Sequence, residues 1–218
     1  MHSPAFLNPV LAKARELGAL VIVDEVATGF GRTGTLFACE QLDIEPDFLC
    51  LGKGLTNGYL PLAVTLASEE VFDTFIGTHD KTFFHGHTYT ANPLGCAAAN
   101  ACLELFDTES TMESVKELVD TLGHALKRLA QRKDVARVRQ TGLMVGIDLL
   151  SPDGQALNAT SRTGNWVCQE ARHHGVILRP LGDTVVMMPP LCMSNKQVKQ
   201  VVSTIEVVLD GLAGVPAP

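Results

Sequence analysis

DFLCLGKGLTNG, residues Asp47 to Gly58, decides how the rest of the chain is read. The apolar run Phe48-Leu49-Cys50-Leu51 stops at Gly52-Lys53-Gly54. A solvated surface lysine needs neither the apolar approach nor the flanking glycines. A short apolar run bounded by glycine is the mark of a strand buried on both faces. A lysine in a water-poor position at the end of such a strand has its charged form disfavoured, so its amine becomes a nucleophile or a base. The glycines would let a bulky group approach the backbone closely. The competing reading is a lysine that caps a strand and extends into solvent.

Working outward, Ala19 to Val23 is a second apolar, β-rich run, and it ends in Asp24-Glu25. It too reads as a strand buried on both faces. A carboxylate behind such a strand is costly unless a positive group meets it. Lys53 could be that group, in a structural ion pair; a protonated pyridine nitrogen is the other possibility. Before this run, Asn8 to Leu17 reads as a helix, with Pro9 in its first turn, Val10, Leu11, Ala14 and Leu17 on one face, and Gly18 as its stop. After Asn57-Gly58, Leu60 to Ala67 predicts a third strand, and alanine-rich Asn92 to Phe106 a helix. Buried strands separated by helices and glycine loops imply a mainly parallel α/β sheet. Chemistry in such sheets gathers beyond the carboxyl ends of the strands, where both Asp24 and Lys53 fall.

The character changes near Thr108. Met112 to Gln131 is an amphipathic helix through Val115, Leu118, Leu122, Leu126 and Leu129. A strand at Leu143 to Leu150, a helix at Arg162 to His174, strands at Val176 to Arg179 and Thr184 to Met188, and a helix at Ser194 to Leu212 follow. This pattern predicts a smaller α+β domain over 108–218, after a larger one over 1–107.

Other motifs carry less. Gly29-Phe30-Gly31-Arg32-Thr33-Gly34 matches GxGxxG. The dinucleotide fingerprint wants those glycines at a strand-to-helix turn, with an acid at the end of the next strand. Here Glu25 to Thr28 intervene, and the next strand ends in lysine. Gly52-Lys53 is no P-loop, because Asp47 stands where that motif needs glycine. His85-Gly86-His87 lacks a nearby third ligand and reads better as a tight turn feeding Thr88, whose hydroxyl suits an anion such as phosphate, than as a metal site. Arg179, after Val176-Ile177-Leu178, is either half of an ion pair or a fork for a substrate carboxylate. A net charge of -7 without basic patches argues against nucleic acid. Six cysteines without a CxxC pair read as reduced, mostly buried thiols of a cytoplasmic protein. No apolar run reaches the ~20 residues of a membrane span. The first ten residues lack the pattern of a signal peptide.

Three stretches together resemble a known family: VIVDEVATGFGRTGTLFACEQLDIEPDFLCLGKGLTNGYLPLA, HGHTYTANPLGCAAANACLELF and GVILRPLGDTVVMMPPL. They are similar to the class III aminotransferases, and within these to the branch that moves an amino group from S-adenosylmethionine to 8-amino-7-oxononanoate, giving 7,8-diaminononanoate in biotin synthesis. The resemblance implies part of a fold type I transferase that uses pyridoxal 5'-phosphate (PLP), works as a homodimer, and takes a small amino donor and a keto-acid acceptor. It implies that Lys53 holds the cofactor aldehyde and shuttles a proton, and that Asp24 holds the ring nitrogen protonated. Val26 would pack on one ring face. Thr88, with His87 beside it, would bind cofactor phosphate; Gly86 would lie against substrate, and Arg179 would pair with the substrate carboxylate. Members of the class are considerably longer than this chain. The part they have in addition is N-terminal and holds a phosphate loop and aromatic cofactor contacts, so the sheet here is expected to expose an edge and an apolar face. Alternative readings are another class III omega-aminotransferase, an inert piece acting only in assembly, and, on GxGxxG alone, a nucleotide-dependent enzyme.

Overall fold

A computed structural model describes residues 2–158 and 160–212. The chain forms two compact units, Met1–Met112 and Glu113–Pro218. In the first, helix α1 (Pro4–Glu16) begins earlier than the expected Asn8, because Pro4 takes the opening position where a missing N–H costs nothing, and Pro9 lies inside the helix. Gly18, at φ 72°, ends it in the left-handed conformation that glycine adopts freely. Three strands follow: β1 (Ile22–Asp24), β2 (Phe48–Leu51) and β3 (Val64–Ala67), in the order β1-β2-β3. β1 runs parallel to β2, pairing Ile22 with Phe48, Val23 with Leu49 and Asp24 with Cys50. β3 runs antiparallel to β2, from Phe48 opposite Ala67 to Leu51 opposite Val64. A short helix α2 (Glu69–Asp73) and the longer α3 (Pro93–Thr108) complete the unit.

Two expectations are corrected here. The run from Ala19 makes a strand of only three residues, and it is not buried on both faces: Ile22 is 66% and Leu20 58% exposed. β1 is an edge strand, and α1 fully buries none of its described residues, so Leu20 and Ile22 stay open to solvent. The expected exposed edge and apolar face are therefore both present. The core lies instead on the other side of the loops: Phe30, Leu51, Leu55 and Ala99 are buried together, with Leu49, Leu62, Val64 and Phe106 packed against them. Burial of such side chains stabilises by roughly 1.5–3 kcal/mol each. Phe30 draws the glycine-rich turn, β2, the loop after it and α3 into one cluster.

The second unit contains α4 (Thr111–Leu129, its first two residues assigned to the first unit), β4 (Val135–Thr141), β5 (Met144–Leu149), α5 (Thr163–His173), β6 (Arg179–Leu181), β7 (Thr184–Met187) and α6 (Asn195–Gly211). Its sheet is wholly antiparallel, in the order β4-β5-β7-β6. Each long helix buries an apolar stripe: Val115, Leu118, Leu122, Leu126 and Leu129 on α4, Val167 and Ala171 on α5, Val198, Val202, Ile205 and Leu209 on α6. β4 was not anticipated, because Arg137 and Arg139 interrupt its apolar pattern; both pair with Asp148 across the ladder on β5. Ser194 and Gln197 form the capping box that starts α6, the side-chain amide oxygen of Gln197 accepting from the Ser194 N–H at 2.8 Å. Asp183, in the β6–β7 turn, accepts the Gly164 N–H at 2.8 Å and so caps α5. A Cβ on Gly164 would lie 2.4 Å from the Gly182 carbonyl oxygen, which is why that contact needs glycine.

All six cysteines are free thiols, but only Cys102 and Cys168 are buried, short of the expected majority. Burial pushes the Cys168 thiol up to about 11. Among the described residues no helix is long and apolar enough to cross a membrane.

Candidate active site

The parallel register of β1 and β2 brings the two leading residues to one rim. Asp24 ends β1 opposite Cys50, and Lys53 follows Cys50 by three residues, just past the end of β2. Adjacent strands lie about 4.8 Å apart, so the two backbones emerge as neighbours. The Glu25 N–H donates to the Cys50 carbonyl at 2.9 Å, extending the ladder one residue beyond the strand. Asp24 turns one carboxylate oxygen back to accept the Val26 N–H at 2.9 Å. That bond sets the turn and leaves the second oxygen for a ligand.

Lys53 opens a single 3-10 turn, Lys53–Thr56, with φ of 41°. Left-handed conformations of this kind are uncommon for a side chain other than glycine and are held by their surroundings. The surroundings here are close. The Val26 methyls pack beside Gly52, where a Cβ would touch them at 3.5 and 3.6 Å in ordinary contact. A Cβ on Gly54 would lie 2.8 Å from the Cβ and Cδ2 of Phe30. Thus Gly29-Phe30-Gly31 and Gly52-Lys53-Gly54 interlock: a Cβ would crowd Phe30 at Gly54 and the Glu25 carbonyl, at 2.9 Å, at Gly29, while Gly31 takes φ of 81°. α3 holds the loop from behind: the Cys102 thiol donates to the Gly54 carbonyl at 3.2 Å and accepts from Asn57 Nδ2 at 3.0 Å. Asn57 is itself left-handed, at φ 50°.

The expected dry setting of Lys53 is corrected. Lys53 and Asp24 are both exposed, since the β1 side of the sheet is uncovered. They form no ion pair among the described residues, and the Lys53 amine has no hydrogen-bond partner among them, so the structural-ion-pair reading finds no support. Both ends remain available to a third group. The chemistry of this pair suits PLP: an amine for its aldehyde and an anionic carboxylate for its ring nitrogen, with the Val26 methyls beside the loop to meet a flat ring.

The other expected residues are distributed as follows. Gly86, His87 and Thr88 lie in the same unit, in an exposed segment ending in turns; the His87 N–H donates to Thr90 Oγ1 at 3.0 Å, and the Tyr89 N–H to His87 Nδ1 at 3.1 Å. Thr88 has no hydrogen bond among the described residues. No group of three or more His, Cys, Asp or Glu among the described residues could hold a metal ion. Arg179 belongs to the second unit, and its expected place is corrected: it opens the edge strand β6 rather than closing a buried one, and it is exposed. Pro180, lacking an N–H, is tolerated only on such an edge. The GxGxxG stretch forms consecutive turns followed by a single 3-10 turn, Ala38–Gln41, rather than opening an α-helix, unlike a dinucleotide cradle.

One residue of the site escaped the sequence reading. Glu25 is fully buried, and its carboxylate accepts from the Thr28 hydroxyl and from the Cys39 N–H, the latter at 2.8 Å. Burial, then the Glu25 charge, push the Cys39 thiol above its ordinary value. Its position, one residue after a strand-ending aspartate, carries no signal in the sequence; only its burial sets it apart.

The profile of the family described as Aminotransferase class-III matches residues 1–209. A curated relative from Aquifex aeolicus (strain VF5), an adenosylmethionine-8-amino-7-oxononanoate aminotransferase, is 46% identical over 207 residues, covering 93% of this chain and 46% of the relative. The crystal structure of the enzyme of that name from Methanocaldococcus jannaschii superposes with a TM-score of 0.88 at 36% identity, over 95% of this chain and 49% of the other. An amine transaminase from an uncultivated Pseudomonas species, solved in its PLP-bound form, gives 0.86 at 33% identity, over 96% and 48%. The chain thus spans about half the length of the curated relatives it matches.

Proposed function

We propose, from the premise that this chain belongs to the class III aminotransferases, that it contributes the lysine-and-carboxylate side of a PLP site to a transamination. The observation that carries the reading is the β1–β2 register, which sets Asp24 and Lys53 at adjacent strand ends without pairing them. Bound PLP supplies an electron sink that lets the Cα–H bond of an amino donor break. Lys53 has the amine that would hold the cofactor and would carry the proton between substrate carbon and cofactor. Asp24 offers its outward carboxylate oxygen to the ring nitrogen and keeps the proton there. Val26 restrains the ring from one face, and the Thr88 hydroxyl, with His87 beside it, offers a donor to the phosphate of a second copy's cofactor in a homodimer. Arg179 is the fork for the acceptor's carboxylate, with Gly86 along the substrate.

The names borne by the relatives support S-adenosylmethionine as donor and 8-amino-7-oxononanoate as acceptor, with 7,8-diaminononanoate as product for biotin synthesis in the cytoplasm. The match to an amine transaminase supports a second reading, an omega-aminotransferase of broader acceptor range. Titrating the chain with PLP and following visible absorption tests the shared part: uptake is expected for the unaltered chain and lost in Lys53→Ala. A band that survives that substitution unchanged refutes the lysine assignment. Turnover with the biotin precursor against a panel of simple ketones and amines then separates the two substrate readings.

A further inference from the structure

Glu25 carries no exposed surface and forms no ion pair among the described residues. A buried carboxylate without a cation is costly and is kept only where its hydrogen bonds are needed. Its groups reach four places. The N–H donates to the Cys50 carbonyl at the end of β2, and the carbonyl accepts the Gly29 N–H at 2.9 Å, closing the turn into the glycine-rich stretch. The carboxylate takes the Thr28 hydroxyl on one oxygen and the Cys39 N–H on the other. Successive side chains of an extended segment point to opposite sides, so Asp24 faces outward while Glu25 is anchored beneath it.

We infer that Glu25 is a positioning residue: it clamps the Asp24–Gly29 turn from the buried side and thereby aims the Asp24 carboxylate and the Val26 methyls at the cofactor ring. The inference rests on the PLP reading above. No chemistry passes through Glu25 itself; it touches neither substrate nor cofactor. Its place in the site is that of a footing beneath the Asp24 side of the rim, as Phe30 and Cys102 hold the Lys53 side.

The test uses the full chain with three substitutions: Glu25→Gln, Thr28→Val and Thr28→Ser. PLP uptake is read by absorbance titration, and ring orientation by the visible circular dichroism of the bound cofactor, at a temperature where each variant is folded. Thr28→Val is expected to weaken uptake about tenfold or more, as loss of one hydrogen bond to a charged group predicts, and to reduce the dichroic band at saturation. Glu25→Gln should do the same, while Thr28→Ser, which restores the hydroxyl, should match the unaltered chain. Variants that melt earlier yet bind PLP with unchanged affinity and dichroism would reduce Glu25 to a purely structural group and overturn the inference. Should Glu25→Gln not fold, the Thr28 pair decides alone. Failure of the unaltered chain to take up PLP would instead defeat the underlying functional reading.

Discussion

Gly54→Ala is the sharpest probe of how the lysine loop is held. The φ of Gly54 lies outside the left-handed region, so an alanine backbone is tolerated there and the added methyl is the whole perturbation. That methyl would stand 2.8 Å from two atoms of Phe30 and 3.0 Å from a third. Phe30 has little room to retreat: it is 3% exposed, it holds φ of 57°, and its ring meets Phe37 at 5.6 Å and Phe106 at 6.1 Å between centroids. Overpacking of this kind costs about 1–3 kcal/mol. Replacing glycine by alanine returns about 0.4–1 kcal/mol by restricting the unfolded chain. The net expectation is a loss of roughly 1–2 kcal/mol, a five- to thirty-fold fall in the folded-to-unfolded ratio of the first unit. Denaturant titration measures it. A double-mutant cycle with Phe30→Ala sharpens the reading: that substitution alone should cost about 3–5 kcal/mol, and distinctly less in the Gly54→Ala background, because the clash is gone. PLP uptake should fall with Gly54→Ala as well, since the displaced loop carries Lys53. A Gly54→Ala midpoint equal to that of the unaltered chain, or a cycle additive within about 0.5 kcal/mol, would refute the interlock.

In the second unit, Arg132 forks Asp134 at 2.8 and 2.7 Å and reaches Asp210 at 2.7 Å. Arg132→Ala leaves the 4%-exposed Asp134 unpaired and should cost about 2–3 kcal/mol, less than a fully buried pair because Arg132 is partly solvated; thermal melting checks this. For Asp148, burial pulls the carboxyl upward, but hydrogen bonds from Thr184, Arg139 and Arg137 outweigh it and hold the group below its ordinary value. Its stabilisation is therefore full above the unfolded value near ~3.9 and is lost as pH falls through the lower folded value. Melting profiles across acid pH should show Asp148→Asn less acid-sensitive than the unaltered chain in that window; parallel profiles would refute the assignment. Arg179→Ala should weaken acceptor binding much more than PLP uptake, and equal losses would remove its proposed role.

The periodic elements were legible because their causes are local. Residues Val115 to Leu129 repeat at helical spacing, Asn92 and Ser194 are side chains that accept backbone N–H groups, and Pro93 suits a first turn, so α3, α4 and α6 could be placed within a few residues. β4 was not legible, because the partner that makes Arg137 and Arg139 acceptable in a strand, Asp148, sits on a different strand. The same holds for Arg179: Val176-Ile177-Leu178 looks like a strand, yet pairing begins only at Arg179, opposite Val186.

At the site, residue types and spacing alone determined the chemistry on offer: an amine between glycines after one apolar run, and a carboxylate after another. Which strands those runs pair with, and in what register, depends on hydrogen bonds between residues far apart in the chain, such as that from the Glu25 N–H to the Cys50 carbonyl. Tertiary structure alone therefore decided that Asp24 and Lys53 share a rim, that Phe30 fills the space Gly54 leaves, and that Glu25 is buried while its neighbour faces outward. It also decided against the dry pocket that the apolar runs suggested. Hydrophobicity states only what a residue would gain from cover; whether cover exists depends on what packs there, and Leu20 and Ile22 on the β1 edge stay exposed.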